Sequence, residues 1–99
     1  MLLAAARRGK GERMDVQPVH AEDRARFEVE VDGHTAFLTY ERHGGTVAMT
    51  HTVVPREIEG RGIAGRLTET AVRWAREQSL MIDPQCSYVR SWLSQEAAP

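Results

Sequence analysis

The sequence has only one cysteine among its 99 residues, so no internal disulfide can form and a reducing, cytoplasmic location is expected. It also lacks long hydrophobic runs. The apolar stretch 1–6 is too short for a signal-peptide core, and no stretch approaches a membrane span, so no membrane partner is expected. The four histidines do not have metal-site spacing, and we expect no metal cofactor.

A large charge of either sign is absent as well, because the formal net charge is -1. This argues against general nucleic-acid binding. Residues 1–13 nevertheless carry four basic residues against one acidic residue. We therefore predict a disordered basic tail over 1–13 and a single domain over 14–99, and Met14 is a possible start. Nucleic-acid binding through the tail is a minor alternative.

Alternating hydrophobicity predicts antiparallel strands in the first half of the domain. Phe27, Val29 and Val31 alternate with acidic residues, which is typical of a strand with one wet face. Asp32-Gly33 is a hairpin signal. The pattern predicts strands over 24–32, 35–42 and 46–54, with a possible short edge strand at 16–19, and so a meander of three to four strands.

Helical periodicity replaces the alternation in the second half. Ile63, Leu67, Ala71 and Trp74 form one apolar stripe of a helix predicted over 62–79. A short strand over 80–83 follows, which a crossover would place parallel to the preceding strand. A short amphipathic helix is predicted over 87–95. The fold class is therefore α+β.

Three glycines lie directly before the predicted helix, at Gly60, Gly62 and Gly65. They allow backbone N–H groups to approach a ligand closely, and the first N–H groups of a helix have no internal partner. A phosphate or pyrophosphate is the expected occupant. Three arginines add positive charge around this loop: Arg56, Arg61 and Arg66.

Two familiar phosphate loops do not fit this glycine pattern. A P-loop needs Lys and Ser/Thr after its last glycine, whereas Arg66 and Leu67 follow Gly65. A dinucleotide fingerprint needs a complete βαβ unit and an acidic residue at the end of its second strand. Asp83 has nearly that spacing, but too little chain remains to complete such a domain.

The stretch Gly60-Arg61-Gly62-Ile63-Ala64 resembles the acyl-CoA pyrophosphate loop of the GNAT acetyltransferase superfamily, Arg/Gln-x-x-Gly-x-Gly/Ala. Gly62 and Ala64 match its last two positions, and Glu59 stands at the first. The wider pattern of His-Thr-x-Val-Pro, Gly-Arg-Gly-Ile-Ala and Cys-x-Tyr-Val resembles the small YjdJ-type GNAT-like proteins over about 27–93. The resemblance implies a truncated GNAT-like domain.

The resemblance also implies a function, the transfer of an acetyl group from acetyl-CoA to an amine. Its acceptor site would be open, which suits an exposed lysine or a polyamine. A non-catalytic CoA or acyl-CoA-binding module is the alternative. The expected coenzyme A-binding residues are Val53, Val54, Gly60, Arg61, Gly62, Ile63, Ala64, Gly65 and Arg66.

Cys86 is the first catalytic candidate. It lies just before the last predicted helix, where N–H groups lower a thiol pKa. The resemblance implies that it faces the acyl end of CoA, as a general acid or as the acyl acceptor. A small buried packing residue is the alternative.

His51 is the second catalytic candidate. By alternation it should share a strand face with Met49 and Val53, and it could take the amine proton. A hydrogen-bonded histidine at a sheet edge is the alternative. Glu57 is a further base candidate, and Tyr88 is a possible hydrogen-bond donor near the thioester.

Overall fold

The computed structural model describes residues 16–97, so the predicted tail lies outside the described residues. Five strands and two helices are found in this part of the chain. In order they are β1 Val19–Ala21, β2 Arg26–Val31, β3 His34–His43, β4 Thr46–Val53, α1 Ile63–Glu77, β5 Met81–Pro84 and α2 Ser87–Ala97. Two short 3-10 turns, Glu22–Arg24 and Arg56–Ile58, precede β2 and α1.

The strands form one mixed sheet in the order β1-β2-β3-β4-β5. The first four strands are antiparallel to their neighbours, and β5 pairs with β4 in parallel. The predicted α+β class is confirmed, with its meander, its helix, its short strand parallel to the preceding one and its C-terminal helix. The edge strand begins at Val19, where the predicted one ended.

The hairpin between β2 and β3 turns at the dipeptide that signalled it. Asp32 and Gly33 have φ angles of 52° and 79°. Two consecutive positive φ angles are the requirement of the turn that matches strand twist in a two-residue hairpin. The register then places Val31 opposite His34, so the alternation predicted from sequence is preserved on both strands.

Both helices pack on the same face of the sheet. The buried side chains of α1, among them Leu67 and Ala71, and Val89 of α2 join one core with Phe27 and Leu38 of the sheet. Neither helix covers the opposite face, which carries the alternate side chains of the strands. Within residues 16–97, the sheet thus has one face buried under the helices and one face that neither helix covers.

An aromatic cluster fastens the edge strand to the core. The His20 ring of β1 stacks on Phe27 with a centroid distance of 4.1 Å and meets Trp74 of α1 edge-on at 4.8 Å. Its Nε2 atom lies 2.6 Å from the Tyr40 hydroxyl oxygen. Three elements therefore hold this half-buried imidazole.

We expect the stability of the fold to fall in mild acid because of His20. Burial lowers the pKa of this imidazole below its ordinary value of 6.5, and the Glu22 carboxylate opposes that shift in part. As the pH falls, the unfolded chain therefore binds more protons at His20 than the folded chain does. The contribution of His20 to the free energy of unfolding is complete above the ordinary pKa, and it is lost as the pH falls from there to the folded pKa. Urea unfolding at about pH 7.5 and about pH 5.5 measures the loss.

The matched variant is His20→Gln, which has no titrating group at this position. Its free energy of unfolding should change less between the two pH values than that of the unmodified chain. An equal change in both proteins would contradict the assignment to His20.

Candidate functional site

A β-bulge interrupts the pairing of β4 with β3. Tyr40 pairs with Met49, but Thr39 pairs with His51, which leaves Thr50 as the extra residue of β4. Because one extra residue reverses the alternation, His51 lies on the sheet face opposite Met49. The prediction that these two share a face is therefore wrong.

Beyond the bulge, β4 separates from β5. The parallel pairing ends at Met49, whose carbonyl oxygen also accepts the Cys86 N–H at 2.9 Å. The paired residues of β4 that follow the bulge, His51, Thr52 and Val53, pair only with β3 in the described chain. Val53 shares the face of His51, as predicted, and both are exposed. The edge facing away from β3 thus has backbone groups for a ligand or water to pair with.

The glycine loop ends in a helix start with unpaired amides. Gly62 precedes α1 with a φ angle of 77° and offers no side-chain cap. The first helical bond runs from the Arg66 N–H to the Gly62 carbonyl oxygen at 3.2 Å. The N–H groups of Ile63, Ala64 and Gly65 have no partner among residues 16–97. This positive helix end fits an anion.

These amides border a cleft of about 240 Å³. The cleft lies between the end of β4, the glycine loop and the first turn of α2. It is lined by Val54, Ile58, Glu59, Gly60, Gly62, Ile63, Ala64, Gly65 and Tyr88. Most of the predicted binding residues therefore surround one cavity, and Tyr88 joins them from a distant part of the chain.

Two of the three loop arginines are engaged elsewhere. The Arg61 Nη1 donates to Asp32 Oδ2 at 2.9 Å. The Arg66 Nε donates to the Val16 carbonyl oxygen at 3.1 Å, and its Nη1 lies 3.3 Å from Glu69 Oε1. Anion binding at this loop would thus depend chiefly on main-chain N–H groups.

Cys86 stands at the start of α2. Its carbonyl oxygen accepts the Arg90 N–H at 3.0 Å, and its Sγ lies 3.5 Å from the Thr52 hydroxyl oxygen. Burial raises the pKa of this thiol, but hydrogen bonds from the Thr52 hydroxyl and from the N–H groups of Val89, Tyr88 and Thr52 outweigh it. The resulting pKa lies below the ordinary value, which favours the thiolate.

Cys86 and His51 lie on opposite faces of the sheet. Thr52 pairs with the buried Leu38 and therefore faces the helices, where its hydroxyl meets Cys86. His51, one residue earlier, faces the open side. The structure thus groups Cys86 with Thr52 and Tyr88 rather than with His51. Sequence reasoning missed Thr52. The only signal for it was its position next to His51 in the sequence.

Two features are absent from residues 16–97. No group of three or more His, Cys, Asp or Glu side chains is arranged there to hold a metal ion. No helix in that range is both long enough and apolar enough to cross a membrane.

The family of this chain is shown by its match to a family model. The family model described as GCN5-related N-acetyl-transferase matches residues 26–98. This chain belongs to the GCN5-related N-acetyltransferase family. The resemblance drawn from the glycine loop is thereby confirmed, and the match includes β2 to α2 with the whole candidate site.

Curated relatives of this GCN5-related chain agree with the family match. Protein NATD1 of Xenopus tropicalis is 34% identical over 83 residues, which cover 81% of this chain and 76% of the relative. Protein NATD1 of Gallus gallus is 31% identical over 87 residues, covering 85% and 79%. That of Mus musculus is 31% identical over 83 residues, covering 81% and 76%.

Proposed function

We propose that this chain transfers an acetyl group from acetyl-CoA to a primary amine. The observation that carries the proposal is the row of three unpaired N–H groups at the start of α1, beside a cleft that Tyr88 also lines. Family membership supports the same reaction class. The proposal treats 14–99 as one catalytic domain, and its free thiol suits a reducing cytoplasm.

The proposed donor site uses main-chain groups at both ends. The pyrophosphate accepts hydrogen bonds from the N–H groups of Ile63, Ala64 and Gly65. The pantetheine amides pair with the edge of β4 that β5 leaves open, near Val53 and Val54. The acetyl group is then directed towards the start of α2, where the Cys86 thiol is held.

The proposed chemistry passes through Cys86. Its thiolate attacks the acetyl carbonyl carbon, the bond from that carbon to the CoA sulfur breaks, and the CoA thiolate leaves and takes a proton from water. A neutral amine then attacks the acetyl-cysteine, an amide forms, and the Cys86 thiolate is released. The lowered pKa of Cys86 supports this nucleophilic role over that of general acid.

The acceptor amine of the proposed reaction attacks the acetyl-cysteine on the helix side of the sheet, where Cys86 meets Thr52. His51, the predicted base, is exposed on the opposite face, so the proton that the amine loses passes to water instead. The proposed acceptor is an exposed lysine side chain or a polyamine, because either can extend a primary amine into a small cleft.

A second candidate is a CoA-binding module without turnover. The observation that favours it is the separation of Cys86 and His51 onto opposite faces, which leaves the base far from the thiol. Both candidates require CoA to bind, and only the first requires transfer.

Thermal unfolding with CoA and acetyl-CoA tests the proposal, followed by an amine panel that includes lysine peptides and spermidine. Ligand at about 100 times its dissociation constant stabilises a fold by about 2.7 kcal/mol, so the melting temperature should rise by several degrees. Acetylated amine should then appear at a rate proportional to the protein concentration. Stabilisation without transfer would establish the binding module, and no stabilisation at millimolar CoA would refute both candidates.

A further inference from the structure

The Arg56 guanidinium forms no hydrogen bond or ion pair with another side chain in the described chain. It begins the 3-10 turn Arg56–Ile58 and is exposed. It takes part in none of the side-chain hydrogen bonds or ion pairs among residues 16–97, whereas Arg61 and Arg66 both do. An exposed cation beside an anion-binding loop is available for a negative group of the ligand.

The turn geometry places Arg56 at the rim of the cleft. Its carbonyl oxygen accepts the Glu59 N–H at 3.2 Å, which closes the 3-10 turn. In such a turn the residues i and i+3 stand one above the other, so Arg56 is aligned with Glu59. Glu59 itself lines the cleft. The arginine thus stands just outside the cavity rather than within it.

The size of the cleft leaves part of the donor outside. Its volume of about 240 Å³ is smaller than the range of about 300–1,000 Å³ in which small-molecule sites enclose a ligand. If the loop amides hold the pyrophosphate, the adenosine end of CoA must rest on the surrounding surface. That end carries a 3′-phosphate, and the Glu59 carboxylate in the lining of the cleft would repel it unless a cation intervened.

We propose that Arg56 binds the 3′-phosphate of CoA and so makes the site select CoA over 3′-dephospho-CoA. This inference rests on the proposed donor site. Guanidinium and phosphate match in geometry and can form two parallel hydrogen bonds. Because the pair is exposed to solvent, the preference is modest and weakens with salt.

The test compares two ligands on three proteins by calorimetric titration. The ligands are CoA and 3′-dephospho-CoA, and the proteins are the unmodified chain, Arg56→Gln and Arg42→Gln. Arg42 is the matched control, since it is exposed and forms no hydrogen bond or ion pair within residues 16–97. It pairs with Val47 at the start of β4, whereas the glycine loop follows the end of that strand.

The unmodified chain and Arg42→Gln should bind CoA about fivefold more tightly than 3′-dephospho-CoA, as expected of one exposed charge pair. In Arg56→Gln the two dissociation constants should become equal, through weaker CoA binding alone. About 0.5 M salt should reduce the ratio in the unmodified chain.

Four results would overturn the assignment. An unchanged ratio in Arg56→Gln would show that another group reads the 3′-phosphate, and equal weakening of both ligands would show a general charge effect. Loss of the ratio in Arg42→Gln would show the same general effect. Failure of CoA to bind the unmodified chain would refute the donor site itself, and the assignment of Arg56 with it.

Discussion

Replacing Gly62 with valine is expected to abolish CoA binding. Gly62 precedes α1 with a φ angle of 77° and lines the cleft beside the unpaired N–H groups. A branched side chain there obstructs the approach of the pyrophosphate and strains a left-handed backbone. Hydrogen bonds to a charged group contribute about 1.5–3 kcal/mol each, so loss of two weakens binding by at least about a hundredfold. Calorimetric titration measures the effect.

Gly44→Val separates the loss of the site from the loss of stability. Gly44 has a φ angle of 60° in the turn between β3 and β4, and a Cβ there would meet nothing within 4 Å. Both variants should lose about 1–2 kcal/mol of stability from backbone strain. Only Gly62→Val should lose CoA binding. A folded Gly62→Val protein that binds CoA normally would rule out the loop as the pyrophosphate site.

Local sequence signals were sufficient to predict the order of elements in this fold. The Asp32-Gly33 turn, the alternation around Phe27 and the stripe through Leu67 each report backbone geometry within a few residues. The parallel pairing of β5 with β4 also followed, because a helix between two strands makes a crossover. The turn, the alternation and the stripe depend on chain neighbours, and the parallel pairing depends on the order of successive elements.

The arrangement within the site could not be predicted in the same way. The bulge at Thr50 places His51 on the opposite face of the sheet. A single extra residue in a stretch of Thr, His and Val has no sequence signal that predicts it. The partner of Arg61 is Asp32, which lies 29 positions earlier and meets it only because of the tertiary fold. Side-chain engagement of this kind depends on contacts that no local pattern encodes.

Glu59 departs from the GNAT loop pattern, and this departure is consistent with the pairing of Arg61 with Asp32. The GNAT loop pattern has Arg or Gln at this position, whereas this chain places a carboxylate in the lining of the cleft. With Arg61 bound to Asp32, positive charge inside the cleft comes from the helix start. The proposed donor site would therefore depend on backbone geometry, which is why a change at Gly62 should outweigh a change at any loop arginine.

Replacing Cys86 with serine should abolish acetylation of the protein and slow amine acetylation by roughly a hundredfold or more. Serine keeps a hydrogen-bonding side chain before α2 and is a preferred residue there, so the helix should remain intact. Incubation with acetyl-CoA followed by intact-mass analysis should show one acetyl group on the unmodified chain and none on Cys86→Ser. A full rate in Cys86→Ser would mean that the cysteine only packs.

Thr52→Val tests the role of Cys86 by a smaller change, because it keeps the thiol and removes one of its hydrogen bonds. It removes the hydroxyl that donates to the Cys86 thiolate while it keeps the size and branching of the side chain. The pKa of the thiol should rise, because the thiolate loses a hydrogen bond while burial still disfavours its charge. The pH profile of alkylation by iodoacetamide should therefore move to higher pH, and the transfer rate near neutral pH should fall in proportion to the thiolate fraction. An unmoved alkylation profile together with a reduced rate would assign Thr52 to the substrate instead of the thiol.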